Sequence, residues 1–201
     1  MGRHREFDVD QALDAVMCVF WQKGYEGASY TDLTRAAGVE RPALYSAFGN
    51  KEEMFRKALA RYCERHLDYI PAALNLPTAR EVARHILFSA IDLNTRHPDH
   101  PGCLGINGVL AGSDEAEPVR RMLIEARAAG EAQLTARFER AKAAGDLPAG
   151  ARPDVLAAFL LTTLHGMAVQ AKAGFSREKL EAIAEQALAA WPAGGATPEG
   201  G

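Results

Sequence analysis

Cysteine is scarce in this chain. Cys18, Cys63 and Cys103 stand alone among 201 residues without a C-x-x-C pair, which excludes a disulfide framework and leaves reduced thiols. A large excess of charge of one sign is also missing: the net charge is -3, and residues 1–61 carry nine Lys/Arg and nine Asp/Glu. Bulk electrostatics therefore cannot attract nucleic acid, and any such function must rest on particular placed residues. No run of about 18 uncharged apolar residues occurs, and "MGRHREFD" lacks the apolar segment of a signal peptide. The expectation is a cytoplasmic protein with no membrane partner. Neither a nucleophile–base pair nor a closed set of metal ligands is visible, so an enzyme ranks last, and no cofactor or metal is expected.

What is present is helix. From Val9 the apolar residues Leu13, Val16, Met17 and Phe20 recur at helical spacing, and Gly24 is placed to end that helix in a left-handed cap. Ser29, with Asp32 three residues on, forms a variant capping box that opens a short helix ending at Gly38. Pro42 then fits the first turn of the next helix, where a proline loses no hydrogen bond. Leu44 and Phe48 face inward there and Gly49 ends the element. Asn50, with Glu53 at its third position, caps a longer helix whose stripe is Met54, Phe55, Ala58, Leu59 and Tyr62.

Two short helices across a glycine turn, braced by a longer helix on either side, predict a helix-turn-helix unit. The run "GYEGASYTDLTRAAGVERPALYSAFGNKEEMF" resembles the N-terminal domain of the tetracycline-repressor (TetR) family of bacterial transcription regulators. The shared marks are the Gly24 turn, Leu33, the Gly38–Val39 turn, Leu44–Tyr45, Phe48, and Lys51 with Glu52. The resemblance implies that Ser29, Tyr30, Tyr45 and Lys51 meet phosphates and that Thr31, Arg41, Pro42 and Ala43 face base edges. Arg41 is the one long donor on that face, suited to guanine O6 and N7. Ser46 and Ala47 stand where many members carry an aromatic and a histidine, and Thr31 stands where arginine is frequent. Ser46 is kept among the DNA-facing candidates.

The expected architecture is all-α, with about nine helices: a DNA-binding domain over 1–65, a helical ligand-binding and dimerisation domain over 66–191, and a disordered Gly/Pro-rich tail over 192–201. The segment 153–173 is apolar nearly all round and should bury two faces, one in its own domain and one against a second subunit. The segment 177–191 carries a single stripe. The resemblance implies that these two helices pair in a homodimer that presents two heads to a palindromic double-stranded DNA operator. Leu164, Leu180, Ile183, Ala184, Ala187, Leu188 and Trp191 are the candidate interface. The same family binds a small-molecule effector among its middle helices, with Phe88, Ile91, Leu123, Phe138, Phe159 and Met167 as candidate walls.

The loop "HPDHPGC" places His97, His100 and Cys103 at H-x-x-H-x-x-C spacing, one ligand short of a closed transition-metal site. Cys103 alone could act as a redox or electrophile sensor. The function expected is thus a sequence-specific repressor released by a small molecule. The alternative is a repressor that responds through Cys103 and the His97/His100 loop, and a constitutive architectural DNA binder is disfavoured by the large second domain.

Overall fold

The computed structural model describes residues 8–97, 99, 101–109 and 112–192. It is all-α, with no strand among the described residues. The helices are α1 (Val9–Gly27), α2 (Tyr30–Ala37), α3 (Arg41–Phe48), α4 (Lys51–His66), α5 (Tyr69–Ala73), α6 (Ala79–Arg96), α7 (Leu104–Val109), α8 (Glu117–Ala143), α9 (Pro153–Lys172) and α10 (Arg177–Ala189), with a 3-10 turn at Asp114–Ala116. The helix absent from the expected nine is α5, a single five-residue turn. His100 and the tail from 193 lie outside the described residues. The chain forms two compact units: one holds the chain up to Leu67 with Cys103–Ile124, the other Asp68–Gly102 with the chain from Glu125 onward.

In the first unit α1 starts on Asp8, whose carboxylate accepts from the amides of Asp10 and Gln11. Gly24 has φ 72° but ψ 177°, outside the left-handed helical basin, so the helix kinks there and continues to Gly27 instead of ending in the expected cap. The kink serves Tyr25, which is buried with its ring 5.4 Å from Phe55, while Phe20 meets Phe55 edge-on at 5.2 Å. Trp21 packs edge-on against Tyr62 at 4.8 Å. Each buried ring contributes about 1.5–3 kcal/mol, enough to hold α1 on α4 and leave the shorter helices to be positioned by them. Arg61 and Arg65 add ion pairs to Asp14 at 3.3 and 2.7 Å, and Arg61 also bonds Asp10.

The second unit packs α6, the later part of α8, α9 and α10 around Ile86, Leu87, Ile91, Leu134, Phe138, Leu160 and Met167. Thr78 and Glu81 form a capping box on α6, and the Asp146 carboxylate accepts from the Ala79 amide at 2.6 Å. Arg137 is buried, and its guanidinium donates to the carbonyls of Leu74, Leu76 and Pro77 at 3.0, 2.7 and 3.0 Å. One charged side chain therefore satisfies three backbone acceptors beyond α5, where the chain is not helical.

Five of the residues expected at a subunit interface, Leu180, Ala184, Ala187, Leu188 and Trp191, belong to this core instead. Leu164 and Ile183 are half-buried against it. The reason is that α10 has a single apolar stripe and α6 and α9 already cover it. In α9 the second face is real: Val155, Phe159, Thr162, Gly166 and Val169 are all exposed, at successive spacings of four and three. By length and composition alone α9, with a mean hydropathy of 1.3, is long and apolar enough to cross a membrane, a test that a two-faced core helix also passes. Its buried residues, however, join the core just described, and that hydropathy is the sum of two apolar faces.

Candidate nucleic-acid interface

Local chemistry sets the geometry of α2 and α3. The Ser29 hydroxyl accepts from the Asp32 amide at 3.1 Å and donates to the Asp32 carboxylate at 2.7 Å, and Lys23 pairs with that carboxylate at 2.6 Å. The Lys23 contact first, then the Ser29 bonds, hold the Asp32 carboxyl well below the usual range. Gly38, at φ 67° and ψ 26°, ends α2 in the left-handed region and lets the Val39 amide reach the Thr34 carbonyl at 3.2 Å. Next, Pro42 lies in the first turn of α3, and buried Leu44 and Phe48 fasten that helix to its neighbours. Gly49 is required where α3 meets α4, because a Cβ there would lie 2.0 Å from the Glu53 carboxylate that caps α4.

This framework leaves Thr31, Arg41, Pro42 and Ser46 exposed and Ala43 half-buried on the α2–α3 surface. Arg35, one turn beyond Thr31, is exposed too and was missed in the sequence; its signal was a cation four residues after a candidate contact. Ser29 spends its hydroxyl on the cap. Tyr30 and Tyr45 stack at 5.1 Å, with the Arg41 guanidinium 4.2 Å from the Tyr30 ring centre. Arg41 Nη2 donates to Tyr45 Oη at 3.1 Å, and the Lys51 amide donates to Tyr30 Oη at 3.2 Å.

The Lys51 ammonium folds back over the Tyr25 ring, 4.9 Å from its centre, and reaches the Glu26 carbonyl at 3.5 Å. Burial lowers its pKa, and Glu115 and Glu26 oppose that. Sequence reasoning also missed Glu26. Its carboxylate accepts from the amides of Ser113 at 2.8 Å and Gly112 at 3.3 Å, and the Ser113 side chain first, then these amides, lower its pKa. The loop before α8 is thereby tied to the end of α1 within the same unit.

The candidate effector walls are divided between the two units. Ile91, Phe138 and Met167 are packed in the second unit's core, Phe159 is exposed, and Leu123 and half-buried Cys103 belong to the first unit. Phe88 lines an open groove of about 410 Å³ on α6 with Leu76, Glu81, Arg84, His85, Ser89 and Asp92. Among the described residues no group of three or more His, Cys, Asp or Glu could hold a metal ion, and His100 is not among them. The Cys63 thiol, in the same unit as Cys103, is pushed up by burial first and then by the charge of Cys103.

Residues 12–58 match the bacterial regulatory proteins of the tetR family, and residues 79–188 match the tetracyclin repressor-like C-terminal domain. The chain belongs to the TetR family. It is a DNA-binding transcription regulator by that membership, with the α2–α3 surface as its helix-turn-helix. The HTH-type transcriptional repressor ComR of Escherichia coli (strain K12) is 37% identical over 193 residues, which cover 95% of this chain and 92% of ComR. The repressor BdcR of the same strain is 29% identical over 187 residues, 92% of this chain and 90% of BdcR. A similar solved structure is a cysteine mutant of the TetR family regulator CifR complexed with 26 bp double-strand operator DNA. It is 42% identical and has a TM-score of 0.88, with 95% of this chain and 100% of that chain covered.

Proposed function

We propose that this TetR-family protein is a cytoplasmic homodimeric repressor that binds a palindromic operator through α2 and α3 and leaves it when the second unit takes up a small molecule. The observation that carries the DNA contact is the short helix α3, anchored by Leu44 and Phe48 with Arg41, Pro42 and Ser46 outward, beside a rim of hydroxyl and guanidinium donors. Donors at the rim suit phosphates, while a helix with small residues outward can enter the major groove closely. Ser29 and Lys51 support this surface as a cap and as the start of α4. Thr31, Pro42, Ala43 and Ser46 supply its groove-facing part.

The exposed stripe of α9 supports the dimer. A Cβ at Gly166, in the middle of it, would meet nothing within 4 Å in the protomer, so the glycine leaves room for a partner helix. The groove beside Phe88 has the volume small-molecule sites commonly have and is the candidate effector site. Its wall of Arg84, His85 and Asp92 favours a polar ligand with an apolar body. A second reading is thiol-dependent release through half-buried Cys103, which shares the first unit with exposed Cys63.

The test is selection of duplexes from a random-sequence pool by the purified protein. Enrichment of a two-fold symmetric sequence is expected. A pool that returns without enrichment would overturn the reading.

A further inference from the structure

One end of the second unit's core is not apolar. Asn94 on α6 is 2% exposed and lies on the inward stripe of Ala83, Ile86 and Ala90. Arg127 on α8 stands seven and eleven residues before Leu134 and Phe138, on the stripe that those two turn into the core, and its Nη2 is buried. Gly130, one turn on, is half-buried, and a Cβ there would meet nothing within 4 Å, so that stripe has open space next to Arg127. His165 on α9 is half-buried. The helices bring these side chains to one level. Asp146, just past α8, bonds the Ala79 amide at the start of α6, so α8 runs antiparallel to α6. Asn94 lies fifteen residues along α6 from Ala79, and Arg127 lies sixteen residues back along α8 from Ala143, about 22 and 24 Å at 1.5 Å per residue. Gly102 places α9: its amide donates to the Asn94 carbonyl at 3.4 Å, and a Cβ on it would lie 2.9 Å from the Ala168 carbonyl, one turn from His165.

We infer that Arg127, Asn94 and His165 bind the carboxylate of a small organic acid whose apolar body lies along Ile91, Leu161 and Leu164. This site shares no residue with the groove beside Phe88. Ile91 is buried and the two leucines are half-buried, one turn or less from Asn94 and His165 on the core side. The class of ligand follows from the groups. A guanidinium is a planar fork of N–H donors that meets a carboxylate in two parallel bonds. Asn94 and an imidazole add uncharged hydrogen-bonding groups beside it. Burial first, then the Arg127 charge, holds His165 down to about 4, so at neutral pH these three side chains carry one positive charge. A monoanion cancels that charge, whereas a phosphate dianion would leave a negative charge among apolar side chains.

The experiment uses the full chain with two carboxylates, octanoate and benzoate, and their neutral counterparts 1-octanol and benzyl alcohol. Calorimetry measures binding at neutral pH, and circular dichroism checks that each variant is folded. At least one carboxylate should bind, and its alcohol should bind far more weakly. Arg127→Met keeps the length of the side chain and removes its charge, so the protein should fold and the carboxylate should bind about thirtyfold more weakly or worse. Phe88→Ala, in the separate groove, should leave carboxylate affinity unchanged. In proton NMR of the imidazoles, with His165→Gln identifying the signal, His165 should titrate at higher pH when the carboxylate is bound, and also in Arg127→Met without ligand. Failure of both carboxylates to bind, an alcohol that binds as tightly as its carboxylate, carboxylate affinity unchanged in Arg127→Met, or an unmoved His165 titration would each overturn the inference while leaving the DNA-binding reading intact.

Discussion

Replacement of Phe159 by glutamate tests the second face of α9. Phe159 is 40% exposed in the protomer, and Val155 and Val169 are 46% and 47% exposed. A phenylalanine side chain has about 200 Å² to bury, so Phe159 withholds about 80 Å² per protomer, or about 160 Å² across a two-fold axis. At about 25 cal/mol per Å² that is about 4 kcal/mol of the dimer's association free energy, about three decades in Kd. The two valines bring less each. Association itself costs several kcal/mol, so Phe159 decides whether the dimer persists at micromolar protein. Phe159→Glu should sediment as a folded monomer at concentrations where the parent is a dimer. Gly166→Leu is the control for fold: nothing lies near its Cβ in the protomer, and the helix gains from losing a glycine. It should dissociate the dimer without lowering the thermal midpoint of the monomer. By contrast, a charge at Leu188 enters the protomer's core and should unfold the second unit. A Phe159→Glu protein whose dimer Kd matches the parent's would refute the argument and move the subunit contact away from this stripe.

Further outcomes are expected. Arg137→Ala strands three carbonyls beyond α5 and should lower stability by about 3 kcal/mol in urea denaturation, with amide exchange quickening first around Asn75–Thr78; an unchanged midpoint would mean that water replaces the guanidinium. Burial and then Arg127 depress His165 to about 4, below its ordinary 6.5. The unfolded chain therefore binds a proton first, and stability should fall as pH drops from about 6.5 towards 4, by about 1–2 kcal/mol after allowing for partial exposure. His165→Gln should flatten that slope, and denaturation at pH 7 and 5 checks it. Peroxide should weaken DNA binding by the parent and spare Cys103→Ser, and equal sensitivity of the two would remove Cys103 as a sensor.

The DNA head was legible because its signals are local. Capping boxes at Ser29 and Asn50, a left-handed Gly38, and Pro42 in a first turn each specify backbone within a few residues, and the observed caps have those partners. Two things were not legible. One is topology: nothing in the periodicity of Cys103–Ile124 says that it returns to the first unit, where Glu26 holds the Gly112 and Ser113 amides. The other is which neighbour uses an apolar stripe. Leu180, Ala184 and Leu188 read as interface until α6 is seen to cover them. The exposed set on α9 was present in the sequence all along at spacings of four and three, but it could be separated from the core set only by subtracting the residues that the protomer buries.

The same limit applies to polar groups. Sequence position could put Ser29, Tyr30, Tyr45 and Lys51 together at one rim, because each lies at or near the start of a helix or one turn along it. It could not say which of their donors are already in use. Ser29 gives its hydroxyl to Asp32, and Lys51 gives its amide to Tyr30 and turns its ammonium to the Glu26 carbonyl. A donor that is satisfied inside the protein must break that bond before it can meet a phosphate, so its net contribution to binding is small.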